Sequence, residues 1–237
     1  MNSKNYDALV LKSINLKDSD KIYTLLVRGL GKISAKAKGI RKITSKRLST
    51  LDTLNFIRVG LVGQSEIRVI TEVKMIYSFS NLKSSLEKLK TAYYFIEIVN
   101  KLIQESDEYD SVFELLIKCL KRLDEKNFFD SRVENYFEMN LLKTLGYSIE
   151  IGSCVSCLNS DFTSRDFSFD YDQGGIICSH CSNSLNHLNP ATLNSFNYLD
   201  GRFPDQNLDF EEVDQILKFY IGSLLNEAPK SLKYLKF

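Results

Sequence analysis

Lys32-Ile33-Ser34-Ala35-Lys36-Ala37-Lys38 alternates without a break. Ile33, Ala35 and Ala37 fall on one side of an extended chain, and Lys32, Ser34, Lys36 and Lys38 on the other. The segment reads as a strand with a small apolar face and a basic face. Residues on one face lie roughly 6.8 Å apart, two strand steps, close to the phosphate spacing of an extended nucleic-acid strand. The next stretch, Gly39-Ile40-Arg41-Lys42-Ile43-Thr44-Ser45-Lys46-Arg47, reads as a basic loop. Residues 21–51 hold nine Lys and Arg and no acid. Such a window is either a solvated basic surface or a phosphate-binding stripe that acts through counterion release. The alternation favours the stripe.

Working outward, four more short strands are expected, over residues 6–13, 22–28, 54–60 and 66–73. Turn signals separate the strands: Lys17-Asp18-Ser19-Asp20, Gly29-Leu30-Gly31 and residues 60–63. Five short strands in about 80 residues suit a small barrel, of which the OB-fold is the common nucleic-acid-binding kind. Periodicity does not assign topology, and an SH3-like barrel fits the same pattern.

From Asn81 the period becomes helical. Leu82, Leu86, Leu89, Tyr93, Ile96, Asn100 and Ile103 form one predicted stripe. Val112, Leu115, Leu116, Cys119, Leu120 and Leu123 form a second. Val133, Tyr136, Phe137, Leu141, Leu142 and Leu145 form a third, with Asp130 or Ser131 as cap and Gly146 as stop. Asn189-Pro190 opens a further helix that should end near Gly201, and a last helix is expected over 208–226. Stripes of this kind are core far more often than binding surface, so the region reads as a small bundle.

Four of the five cysteines form Cys154-x2-Cys157 and Cys178-x2-Cys181, with 20 residues between the pairs. Two such knuckles aim four thiolates at one point, the tetrahedral donor set that suits Zn²⁺. Four protein ligands close the coordination sphere, so the predicted site is structural, with one Zn²⁺ per chain. His180 reads as a turn residue and Cys119 as a buried small hydrophobe. Residues 162–171, with alternating aromatic and polar side chains, suit a hairpin between the knuckles or an acidic, aromatic contact surface.

The net charge is +1, yet residues 1–80 carry +9 and residues 81–237 carry −8. Near-neutrality therefore does not exclude a polyanion partner; it predicts that binding is local to the first 80 residues. The acidic remainder is expected to keep the molecule soluble and to meet proteins. No apolar run spans a bilayer and the N-terminus lacks a secretory core, so a cytoplasmic location and no membrane partner are expected. Phosphate-binding glycine motifs, nucleophile elbows and zinc-protease motifs are absent, and no catalytic residue is assigned.

The order of basic barrel, helices and four cysteines resembles the bacterial RecO family. The resemblance is carried by Ala8-Leu9-Val10-Leu11, by Lys17-Asp18-Ser19-Asp20-Lys21-Ile22, by Gly31, and above all by Ala37-Lys38-Gly39-Ile40-Arg41-Lys42. Ala92-Tyr93-Tyr94-Phe95-Ile96-Glu97, Phe113-Glu114-Leu115-Leu116 and Leu141-Leu142-Lys143-Thr144-Leu145-Gly146-Tyr147 continue it. The family often has a proline after the basic loop; Leu51-Asp52-Thr53-Leu54 has none.

The resemblance implies an α+β multidomain protein: an OB-fold over 1–80, a helical domain over 81–150, a zinc-finger insertion over 151–187, and C-terminal helices over 188–237 packing on the helical domain. It implies a non-enzymatic mediator of DNA repair and homologous recombination in the RecF pathway, near the bacterial nucleoid. Such a protein binds single- and double-stranded DNA, anneals complementary strands, and with RecR assists RecA loading onto strands covered by single-strand-binding protein, whose acidic C-terminal tail it also binds. The basic residues just described, Lys32, Lys36, Lys38, Arg41, Lys42, Lys46 and Arg47, are the predicted DNA contacts. A zinc-containing interaction scaffold and an RNA- or transcription-associated factor are the competing readings.

Overall fold

The computed structural model describes residues 3–16, 19–40, 48–63, 65–105, 109–125, 130–161, 166–182, 187–202 and 207–233. Among these the chain forms two compact units, Met1–Phe129 with Ser231–Phe237, and Asp130–Lys230.

The first unit opens with five strands: β1 (Lys4–Leu16), β2 (Asp20–Val27), β3 (Gly31–Ala37), β4 (Phe56–Val62) and β5 (Ile67–Tyr77). They close into a barrel in the order β1-β2-β3-β5-β4. All pairs are antiparallel except β3 with β5, where Ser34, Ala35 and Lys36 run parallel to Ile67, Arg68 and Val69. This non-sequential closure is that of the OB-fold and settles the choice that periodicity left open. Each expected strand is present. β5 runs four residues past its expected end because Lys74, Met75, Ile76 and Tyr77 are exposed and break the alternation used to find it.

Inward-facing residues fill the barrel: Ala8, Val10, Tyr23, Leu25, Val27, Ile33, Ala35, Ile57, Val59 and Leu61 among them. The small residues at 35 and 37 leave room for Tyr23, which is fully enclosed. Gly29 and Gly31, both at positive φ, make the tight β2–β3 turn.

Three helices complete this unit: α1 (Ser80–Ser84), α2 (Leu86–Leu102) and α3 (Asp110–Glu125). Phe113 of α3 meets Phe56 of β4 edge-on at 5.9 Å, and Asp110 accepts a hydrogen bond from Gly29 N–H at 2.6 Å. Asp124, nearly buried, accepts from Leu82 N–H and from the Tyr77 hydroxyl, tying α3 to α1 and to the end of β5.

The stripe expected on α3 is buried as read. That on α2 is buried only in part. Leu82, Ile96 and Ile103 are buried as expected, but the helix breaks at Ser85, Leu86 and Tyr93 are exposed, and the buried face also carries Lys88, Ala92, Phe95 and Val99. Leu86 and Tyr93 are as apolar as Phe95 and Val99, so the sequence period admits more than one stripe. The break at Ser85 shifts the phase between Leu82 and the rest.

The second unit holds α4 (Arg132–Thr144), β6 (Phe167–Asp170), β7 (Gly175–Cys178), α5 (Pro190–Leu199) and α6 (Phe210–Leu225). Asp130 supplies the oxygen that accepts Arg132 N–H, and Gly146 at positive φ closes α4. The Asn189 side chain caps α5 as expected, by accepting from Ala191 N–H at 3.0 Å. α4 packs with α5 and α6. No helix among the described residues is long and apolar enough to cross a membrane.

Candidate nucleic-acid interface and candidate metal centre

On β3 the alternation is observed from Ile33 to Lys38: Ile33, Ala35 and Ala37 are buried, Ser34 and Lys36 are half-buried and Lys38 is exposed. Register shows what lies beside them. Lys12 of β1 is opposite Thr24 of β2, and Thr24 is opposite Ser34. One step on, Ile14 is opposite Ile22, and Ile22 opposite Lys36. Directly opposed residues share a face. The outer surface of β1–β2–β3 therefore carries Lys12, Lys36 and an exposed Ile14, 51% accessible. Lys12 and Ile14 escaped the sequence reading because strand register is not visible in a single segment.

Lys32 is placed differently from its neighbours. It is only 8% exposed, and its ammonium donates to the Asn100 carbonyl of α2 at 2.6 Å. Burying a lysine requires such a partner, and this one draws Lys32 out of the open stripe. Arg41, Lys42, Lys46 and Arg47 lie outside the described residues.

The stripe is also less purely basic than its linear window. Lys36 forms an ion pair with Asp20 at 2.9 Å, and Ser34 donates to Glu105 at 2.9 Å. Asp20 stands one residue outside the acid-free window, and Glu105 comes from beyond α2. Hydrogen bonding from Gly39 N–H and from Lys36 holds the Asp20 carboxyl below its ordinary value.

In the second unit the four predicted thiols converge. Sγ atoms of Cys154, Cys157, Cys178 and Cys181 all lie within 4.8 Å of one another. The Cys157–Cys178 separation of 3.8 Å matches the edge of a tetrahedron with metal–sulfur bonds of about 2.3 Å. His180 stands inside the second knuckle but is not one of the clustered donors.

Local backbone structure builds the cluster. The hairpin pairs Phe167 with Cys178 and Asp170 with Gly175, and Asp170 accepts from Asp172 and Gln173 N–H in the turn. β6 falls inside the expected span 162–171, whose first four residues lie outside the described residues. Val155 N–H donates to Ile176 O, laying the first knuckle on β7. A Cβ on Gly175 would stand 2.6 Å from Val155 Cγ1 and 2.7 Å from the Glu150 carbonyl, so this contact requires glycine.

The donors suit a metal that takes thiolates. Burial opposes ionisation of Cys154, but backbone N–H groups of Cys157, Cys178 and Ser156 outweigh it and bring the thiol to about 6. At Cys181 a hydrogen bond with Ser156 favours the thiolate, yet Cys157 and Cys178 outweigh it and raise the thiol to about 11. A cation among them relieves that mutual opposition. Cys119 is apart, on α3, buried and pushed up to about 12 by desolvation, the behaviour of a packing residue.

An OB-fold barrel with a basic outer strand, followed by helices and a four-thiol knuckle, is an architecture suited to handling nucleic acid. Residues 1–79 match the family model for the N-terminal part of recombination protein O, and residues 83–233 match that for its C-terminal part. The chain belongs to the RecO family of DNA repair proteins. The DNA repair protein RecO of Clostridium perfringens strain 13 is 29% identical over 237 residues, covering 97% of this chain and 96% of the relative. That of Dehalococcoides mccartyi strain 195 is 28% identical, covering 96% and 93%. That of Acetivibrio thermocellus is 30% identical over 181 residues, covering 76% and 71%.

Proposed function

We propose that this chain is a non-enzymatic mediator of DNA repair and homologous recombination in the RecF pathway. It binds single- and double-stranded DNA by the backbone, anneals complementary strands, and with RecR assists RecA loading on strands covered by single-strand-binding protein. Contact with the acidic C-terminal tail of that protein belongs to the same reading. The observation that carries it is the basic outer face of the barrel. Lys36 and Lys38 stand there, and Arg41, Lys42, Lys46 and Arg47 follow directly in sequence.

Annealing needs two things: neutralisation of two mutually repelling strands, and base edges left free to pair. Lysines and arginines supply the first through counterion release. Residues 24–55 contain no aromatic side chain, so this window offers no platform on which bases would be stacked and hidden. In this reading Lys32 braces β3 against α2 and does not touch DNA.

The second unit contributes a structural Zn²⁺ held by Cys154, Cys157, Cys178 and Cys181. The metal would cross-link the two knuckles and offer no open position for a substrate. Domain limits of 1–80, 81–150, 151–187 and 188–237 and a location near the bacterial nucleoid complete the proposal.

The decisive experiment is annealing of complementary oligonucleotides coated with single-strand-binding protein, with and without this chain. Acceleration is expected, lost on charge reversal at Arg41 and Lys42. Binding without annealing would instead favour a scaffold, and a preference for structured RNA would favour an RNA-associated factor.

A further inference from the structure

The Asp20 carboxylate is divided between two groups. Oδ1 accepts Gly39 N–H at 2.8 Å, and Oδ2 meets Lys36 Nζ at 2.9 Å. The two partners differ in kind. Gly39 is backbone, at positive φ in the turn that leaves β3, whereas Lys36 is a long, partly exposed side chain. Both members of the ion pair remain accessible, with side chains 28% and 22% exposed. Partly exposed pairs of this sort are weak and exchange their partners readily. A carboxylate oxygen at this distance from an ammonium stands where a phosphate oxygen would stand.

We propose that Asp20 is an internal substitute for a DNA phosphate, occupying Lys36 until the nucleic acid displaces it. This rests on the reading of the barrel as a DNA-binding surface. When Lys36 leaves, the Gly39 hydrogen bond still anchors Asp20, so the exchange is reversible and the turn keeps its shape. The consequence is restraint. One of the few described lysines on this face is withheld from the resting protein, which lowers affinity for any backbone and lets annealed strands go.

The competing account is a purely structural clamp, in which Asp20 only holds the Gly39 turn. Asp20→Asn and Lys36→Gln separate the two. In Asp20→Asn the carboxamide oxygen keeps the bond from Gly39 N–H, while the negative charge facing Lys36 is lost. A structural clamp predicts that Lys36 contributes nothing to the salt dependence of binding. Displacement predicts that Lys36 meets a phosphate in the complex, so that its loss flattens the slope of log K against log salt by about 0.7 for a single strand.

The test is fluorescence anisotropy of a labelled oligodeoxythymidine with the full chain over a series of sodium chloride concentrations. Wild type, Asp20→Asn, Lys36→Gln and the double variant are compared. Asp20→Asn should bind more tightly at low salt with the wild-type slope, because Lys36 meets the same phosphate without first leaving a carboxylate. Lys36→Gln should flatten the slope by about 0.7, and added to Asp20→Asn it should abolish the gain. If Asp20→Asn melts early, Asp20→Ser repeats the comparison, since its hydroxyl also accepts from Gly39.

The idea is overturned if Lys36→Gln alone leaves the slope unchanged, because Lys36 then never reaches DNA. It is equally overturned if Asp20→Asn changes nothing, or if the double variant keeps the gain, which would make the effect long-range repulsion. Failure of the wild type to bind at the lowest salt is a separate outcome. It removes the DNA reading itself, and this inference with it.

Discussion

Lys218 of α6 reaches Glu134 of α4 at 3.3 Å, with both side chains more than nine-tenths buried. Asp214 lies one turn away on the same helix, 2.7 Å from the ammonium. Burial disfavours the charged lysine, but Glu134, Glu138 and Asp214 more than compensate and raise it above 10.5. A buried pair of this kind adds modest stability but is costly to break, because the partners are left as uncompensated charges. Lys218→Met should therefore destabilise the protein by about 3 kcal/mol or more, read from the midpoint of urea unfolding at neutral pH. The folded value is raised, so the contribution is fully present below pH 10.5 and is lost only as pH climbs through the folded value. The variant should lack that alkaline decline.

The Tyr23 hydroxyl makes the opposite case. It is enclosed in the barrel core and has no hydrogen-bond partner among the described residues. Tyr23→Phe removes a desolvated polar group at no cost in packing, so stability at neutral pH should stay equal or rise by up to about 1 kcal/mol. Desolvation, aided by Asp52, raises the phenol to about 12. A folded value above the ordinary 10.0 means that wild-type stability falls between pH 10 and 12, as the unfolded chain ionises first. Tyr23→Phe should retain more of its stability across that window in alkaline melts.

Gly175 links the hairpin to the metal centre. A methyl group there meets Val155 and the Glu150 carbonyl well inside contact distance, and neither is the end of a flexible side chain. Gly175→Ala should cost about 1–3 kcal/mol as an overpacking change. Its sharper signature is local. The first knuckle rests on β7 beside this residue, so the variant should release metal to a chelator faster than wild type does, followed with a chromogenic zinc indicator.

Much of this architecture was legible because each feature has a local cause. Alternation at 33–38 exposes the strand, Asn189-Pro190 exposes a helix start, and cysteine spacing exposes the knuckle. What stayed hidden depends on partners distant in sequence. Lys32 follows the same alternation as Lys36, yet α2 takes it away through Asn100. Asp20 looks like a turn residue until the pairing of β2 with β3 brings its side chain within reach of Lys36. On α2, residues such as Leu86 and Tyr93 are as apolar as Phe95 and Val99, so only tertiary packing decides which face is buried. Clear period-two or capping signals survive folding; a wide apolar surface leaves the phase of the buried stripe to tertiary packing.

The cysteine centre permits the plainest chemical test. With Zn²⁺ bound by Cys154, Cys157, Cys178 and Cys181, elemental analysis should return one zinc per chain. Cys154→Ser should lower that figure strongly, because Cys154 is fully buried and backbone N–H groups favour its thiolate. Cys119→Ala should leave it unchanged, since Cys119 lies on α3 away from the cluster. Metal binding by thiols releases protons and is reversed by acid. Zinc should therefore dissociate on acidification, as protons compete with the metal for the four thiolates. Full zinc occupancy in Cys154→Ser would falsify the four-thiolate assignment.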